Sequence, residues 1–297
     1  MEYSQLGKSE LRISNVGFGC MSLKGSAGDN KLLVQTAIDA GINYFDTADL
    51  YDNGANEELI GDLLKSVRSE VVIASKVGNK MRSDGSGFDW CPSKAYILSS
   101  IDESLRRLNT NYIDLYQLHG GTLEDPLDEI IEAFEILVQQ GKIRYYGLSS
   151  IRPNVIREYV SKSNIVSVMT QYSLLDRRPE EFTLNFLQEN NVGVLARGTV
   201  AQGLLIDKPV KTYLGYTSKE VDLASKAIAE ISINRTKVQS ALQFTLHGPA
   251  VTSAIMGFRT VGQLNDAIGS NLNNSLSKTE IQILESAIKP QVYKEHR

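Results

Sequence analysis

Apolar and polar positions follow two periods along this chain. Short apolar runs read as strands, and longer stretches with apolar residues three and four apart read as helices. NKLLVQTAIDA, residues 30–40, forms a helix closed by Gly41, and Ile42 to Phe45 follow as a buried strand. The run Val71 to Ala74 leads to Lys76, and Ile113 to Leu118 leads to His119. Between them, Ser93 to Leu108 keeps Ile97, Ile101, Leu105 and Leu108 on one helical face. In DEIIEAFEILVQQGK, Ile130, Ile131, Phe134, Leu137 and Val138 share a face, and Gly141 closes the end. IRYYGLSS leads into a helix after Pro153, IVSVMTQ into a helix near Glu180 to Glu189, and VGVLA into a long loop. TSAIMG is the last strand, before a helix from about Val261 to Ile268.

Counted from Val16 to Phe18, about eight strands alternate with helices, the pattern of a parallel sheet. In a chain of 297 residues this predicts an α/β fold, a single closed (β/α)8 TIM barrel spanning 1–297, with an extra helix at its C-terminal end. Residues 1–14 read as a hairpin with Gly7 in its turn, placed to plug the barrel bottom. The alternative is an open doubly wound sheet. It calls for a GxGxxG turn that opens a helix after the first strand, and GFGCMSLKG does not do so.

Composition narrows the function classes. Hydrophobic residues make up 42% and charged residues 22%, a globular balance, and a net charge of -4 supplies no basic field for nucleic acid or membrane lipid. The polar opening MEYSQLGKSELRIS lacks a signal-peptide core, and no apolar run approaches a membrane span. With Cys20 and Cys91 the only cysteines, a reducing, cytoplasmic setting is expected. His119, His247 and His296 show no metal-ligand spacing, so no metal is expected.

The strand ends carry the chemistry. Asp46, Lys76, His119, Ser149, Gln171, Arg197 and Gly257 would ring one mouth of a barrel, where the loops after the strands build active sites. Tyr51 lies five residues after Asp46, in GINYFDTADLYDNGANEELIG. A phenol titrates near ~10, so it donates a proton poorly at neutral pH unless a cation lowers its pKa. Lys76 is the expected cation, fixed by Asp46, and His119 is placed to hydrogen-bond a substrate oxygen. With no metal and no Ser-His-Asp relay, the attack on carbon must come from elsewhere. A reduced nicotinamide fits.

These residues stand in motifs that resemble a known family. GINYFDTADLYDNGANEELIG, IASK, DLYQLH, YYGLSS and MTQYS, in this order and spacing, closely resemble the aldo-keto reductases, especially bacterial members related to potassium-channel β subunits. The resemblance runs from RISNVGFGCMSL to SAIMGFRTVGQL. It implies a (β/α)8 barrel that binds NADPH across its mouth and reduces small-molecule aldehydes or ketones. It also implies the tetrad Asp46, Tyr51, Lys76 and His119, with Tyr51 as general acid.

The same resemblance implies the cofactor contacts. Ser149 and Gln171 fall where the nicotinamide carboxamide is held, and Ser150 stands where an Asn is usual. Cys20 and Met21 would touch the cofactor through their backbone. ARGTVAQGLL takes the place of the pyrophosphate loop, with Gly198, Val200 and Gln202 offering N–H groups. MGFRTVGQLNDA, from Met256 through Asp266 to Ala267, matches the adenosine-phosphate segment and includes Gly257. There Arg259 would grip a 2'-phosphate beside Gln263, favouring NADP over NAD, and Ala267 replaces an Asn that often reads adenine. Arg197 stands where many relatives carry an aromatic ring. It would either stack on the nicotinamide or turn to a phosphate or an acidic neighbour. Phe88 and Trp90 are candidates for the substrate wall. The rival to an enzyme is a barrel that holds NADP(H) as a redox reporter with little turnover. A metal-dependent hydrolase would need ligands that the strand ends do not supply.

Overall fold

The computed structural model describes residues 1–82, 84–269 and 274–297. A hairpin opens the chain, β1 (Tyr3–Gln5) pairing antiparallel with β2 (Arg12–Ser14). Its turn needs Gly7: φ is +53°, and a Cβ there would lie 2.3 Å from the Val166 carbonyl oxygen. The barrel begins with β3 (Val16–Gly19), β4 (Tyr44–Asp46) and β5 (Val72–Val77). A second hairpin, β6 (Asn79–Met81) with β7 (Phe88–Trp90), interrupts it. The ring then resumes with β8 (Ile113–Leu118), β9 (Ile143–Ser149), β10 (Ser167–Gln171), β11 (Gly193–Arg197) and β12 (Val251–Met256). All eight barrel strands pair in parallel, and β12 returns to β3, so the barrel is closed. Closure excludes the open sheet.

Helices fill the gaps: α1 (Ala27–Asp39), α2 (Ala55–Leu64), α3 (Lys94–Arg107), α4 (Leu127–Gln139), α5 (Pro153–Lys162) and α6 (Thr183–Glu189). The helix expected near Glu180 to Glu189 is broken. A 3-10 turn, Arg178–Glu181, ends at Phe182, whose φ of −154° is not helical, and α6 starts beyond it. The long loop expected after Ala196 holds two helices, α7 (Ser218–Ile231) and α8 (Lys237–Leu246). Thr217 with Glu220, and Thr236 with Gln239, form capping boxes at their starts, which satisfy first-turn N–H groups otherwise without partners. Next come α9 (Val261–Ile268) and the extra C-terminal helix α10 (Lys278–Ala287).

Two apolar layers result from the period of two along each strand. Outward residues such as Phe18, Phe45, Ile73 and Val77 pack under the helices. Inward residues Tyr44, Val72, Ala74, Leu115, Met169, Leu195 and Ile255 fill the barrel, where Leu6, Leu11 and Ile13 of the hairpin join them. The hairpin therefore closes the bottom, and only the upper inward positions are left for chemistry.

Candidate active site at the barrel mouth

Continuing each strand upward by two residues turns the apolar interior polar. Above Val72 and Ala74 comes Lys76, above Tyr44 comes Asp46, and above Leu115 comes Gln117. Lys76 is 0% exposed, and a buried ammonium must place all of its protons. It does so. Nζ donates to Asp46 Oδ1 at 2.5 Å, to the Thr47 carbonyl at 2.7 Å and to Tyr51 Oη at 3.4 Å. Gln117 Nε2 reaches the second Asp46 oxygen at 3.4 Å. Gln117 is absent from the residues singled out above, yet the alternation from Leu115 was enough to place it inward.

Burial and charge compete at each group. Burial pulls the Lys76 ammonium down, but Asp46 and Tyr51 outweigh it and hold its pKa above the usual lysine value. Burial pushes the Asp46 carboxyl up against the pull of Lys76 and Gln117. Tyr51 corrects the simplest expectation. Lys76 does lower its pKa, but burial raises it more, so the phenol keeps its proton at neutral pH. His119 faces Tyr51 edge-on with ring centroids 6.0 Å apart. Its pKa is lowered to about 3, by burial first and then by Lys76 and Arg197, which leaves a neutral imidazole. His119 Nδ1 is buried without a partner. A phenol proton between a cation and a neutral imidazole can be delivered to an oxygen that gains charge in the mouth.

The structure sorts the other expected residues. Ser149 and Gln171 lie at the tops of β9 and β10. Gln171 is engaged at both ends of its amide: Oε1 accepts from Arg197 Nη1 at 3.0 Å, and Nε2 donates to Tyr213 Oη at 3.1 Å. Arg197 is exposed and lies against Gln171, with its charge felt at Asp46, Tyr51 and His119. Ser150 is turned into the chain, its N–H donating to Met169 O and its Oγ accepting from Arg152 N–H. The Cys20 carbonyl accepts from both Asn56 Nδ2 and Leu23 N–H, so its lone pairs are committed, while Met21 is exposed.

The loop after β11 forms a concave turn. Gly198, Ala201 and Gln202 have φ of +81°, +48° and +60°. Ala201 N–H bonds Gly198 O and Gly203 N–H bonds Val200 O, which tightens the turn. Successive N–H groups in such a turn suit an anion. Arg259 is exposed beside the start of α9, where its N–H donates to Gln263 Oε1 at 2.9 Å. The Asp266 carbonyl accepts from Thr236 Oγ1. Ala267 is fully buried in the core, so position 267 offers nothing to a ligand.

Trp90 braces the mouth. A Cβ on Gly78 would lie 2.6 Å from its ring and one on Gly120 3.2 Å, and both glycines have positive φ, so glycine is required for this close approach. Its Nε1 donates to Asp125 Oδ1 at 2.9 Å. Phe88 occupies the other end of β7 and is half exposed. Outside the ring, Glu57 accepts from Ser75 Oγ and Arg107 Nε. Asp49 lies nearby with Oδ1 unpartnered and its pKa pushed up to about 7 by burial and by the Glu57 charge.

Among the described residues no group of three or more His, Cys, Asp or Glu is arranged to hold a metal, and no helix is long and apolar enough to cross a membrane.

Comparison with known proteins agrees with the barrel fold. The sequence profile described as "Aldo/keto reductase family" matches residues 15–289. The uncharacterized oxidoreductase YqkF of Bacillus subtilis is 49% identical, with 100% of both chains covered. The aldo-keto reductase yakc [NADP(+)] of Schizosaccharomyces pombe is 34% identical over 64% of this chain and 59% of that protein. Among solved structures, the aldo-keto reductase AKR11C1 from Bacillus halodurans, in its holo form, superposes with a TM-score of 0.95 at 46% identity, covering 100% of this chain and 99% of that one. This chain belongs to the aldo/keto reductase family.

Proposed function

We propose that the protein reduces aldehyde or ketone carbonyls to alcohols with NADPH, using Tyr51 as the proton donor. The observation that carries this reading is the bonding of the Lys76 ammonium, shared between Asp46, the Thr47 carbonyl and the Tyr51 oxygen. A lysine held this way keeps its charge. It stabilises the phenolate left when Tyr51 gives up its proton, while burial keeps that proton in place beforehand. His119, neutral and opposite Tyr51, orients the carbonyl oxygen by hydrogen bonding.

The residues present fit a nicotinamide cofactor. Ser149 and Gln171 offer carboxamide partners at one side of the mouth. The turn around Gly198, Val200 and Gln202 suits a pyrophosphate, and exposed Arg259 at the start of α9 suits a 2'-phosphate. The name of the fission yeast relative carries NADP(+), which supports the same preference. When bound, the reduced nicotinamide supplies a hydride to the carbonyl carbon. Trp90, fixed against Gly120, walls the substrate side.

A panel of aldehydes, ketones and sugars assayed by loss of NADPH absorbance tests this reading. Steady turnover abolished by Tyr51→Phe is expected. Tight cofactor retention with negligible turnover of every carbonyl would instead make the protein a redox-reporting cofactor binder.

A further inference from the structure

A cleft of about 430 Å³ opens beside the mouth. Its walls are the segment after β9 (Ile151 and Arg152), the turn at Leu214 and Gly215, and the C-terminal tail from Gln291 to His296. The tail is pinned rather than loose. Tyr293 is buried, with Arg178 5.0 Å from its ring centroid, and the His296 carbonyl accepts from Asn154 N–H. Lys294 is thereby held at the cleft between two fixed points.

The charges in this wall are not equal in effect. Arg178 is cancelled by buried Asp176, which it meets through two bonds of 2.7 Å. Arg152 Nη1 donates to a neutral group, the Gly121 carbonyl, at 2.6 Å. Lys294 is exposed on the tail, and the lining contains one carboxylate, Glu295. Exposed Glu124 lies close enough to feel Arg152. Two cations, Arg152 and Lys294, thus face one lining carboxylate, in a chain whose net charge is -4. Such a balance suits a monoanion better than a phosphate dianion, which Glu295 would repel. Between the charges, Ile151, Leu214 and Val292 offer exposed apolar surface.

The cleft is tied to the mouth through Arg152. Gly121, which its guanidinium bonds, is two residues past His119, so the two Cα atoms lie no more than about 7.6 Å apart. We infer that this cleft is a specificity subsite for carbonyl substrates that carry a terminal carboxylate. The carbonyl is held at Tyr51 and His119, an apolar spacer runs past Ile151, Leu214 and Val292, and the carboxylate ends between Arg152 and Lys294. The orientation of the carbonyl rests on the reduction reading above; the carboxylate subsite does not.

The test uses aldehyde-carboxylates of increasing chain length, each beside its methyl ester, with NADPH. At the best length the acid should exceed its ester in kcat/KM by at least tenfold, and added salt should shrink that preference. Both Lys294→Glu and Arg152→Gln should lower the acid-to-ester ratio by about tenfold. Lys294 is exposed, so its replacement does not put folding at risk. A ratio near one at every length, or one that survives Lys294→Glu, overturns the subsite. If neither acids nor esters are reduced, the reduction reading fails, and calorimetric titration with the monoanion pentanoate then reads the subsite directly. Binding that Lys294→Glu weakens upholds it, and no binding overturns it.

Discussion

The Lys76 ammonium and the Asp46 carboxylate meet at 2.5 Å with almost none of either side chain exposed. Removing one partner of a buried ion pair strands the other and costs about 3–5 kcal/mol, whereas replacing both by apolar groups costs much less. Lys76→Met should therefore destabilise strongly in urea unfolding, and adding Asp46→Leu should recover part of the loss. A double variant less stable than Lys76→Met would show that the two residues do not act as a pair.

Tyr51→Phe keeps the ring and removes the proton. The proposed mechanism expects carbonyl reduction to fall by roughly 10²–10⁴-fold, the usual range for a general acid. NADPH affinity, measured by fluorescence titration, should stay nearly constant. Retention of half the turnover number, with chemistry shown to limit the rate, would remove Tyr51 from its role.

Arg259 sits exposed at the start of α9, where a guanidinium and helix N–H groups can meet one phosphate. Charge-assisted contacts contribute about 1.5–3 kcal/mol each. Arg259→Ala should weaken NADPH by at least tenfold and leave NADH almost untouched. Equal losses for the two cofactors would mean that the residue supports its loop instead.

Arg197 lies against Gln171, beside the proposed carboxamide site. A fixed positive charge there opposes the cationic oxidised nicotinamide more than the neutral reduced ring. Replacement by Met should raise NADP⁺ affinity relative to NADPH. An unchanged ratio in paired titrations would end that account.

Asp49 makes stability depend on pH. Its pKa is about 7 in the folded chain against the ordinary aspartate value of 3.8, so between these values the folded state binds more protons than the unfolded one. Stability should therefore fall as pH rises from about 4 to about 7 and level off above, by up to about 4 kcal/mol. Asp49→Asn should flatten that part of a Tm-against-pH curve. A decline of equal size in the variant would assign it to other groups.

The strand-end ring was legible because a period of two carries an inward apolar residue to an inward polar one: Ala74 to Lys76, Tyr44 to Asp46, Leu195 to Arg197. The same rule reaches Gln117. TSKE and TKVQ, the capping boxes of α7 and α8, were also present in the sequence, hidden by the expectation of a loop. Other features had no local signal. The bonds from Gln171 to Arg197 and Tyr213 span 26 and 42 residues. The burial that outweighs Lys76 at Tyr51 belongs to the assembled barrel, and so does the commitment of the Cys20 carbonyl to Asn56.

The hairpin packed into the barrel bottom has a consequence for proton traffic. Leu6, Leu11 and Ile13 fill the lower interior, so Lys76 and Tyr51 communicate with water from above. Under the proposed chemistry, cofactor and substrate occupy that same opening. The phenolate left on Tyr51 would then wait for a new proton until the opening clears, and each reduction would run on a single stored proton.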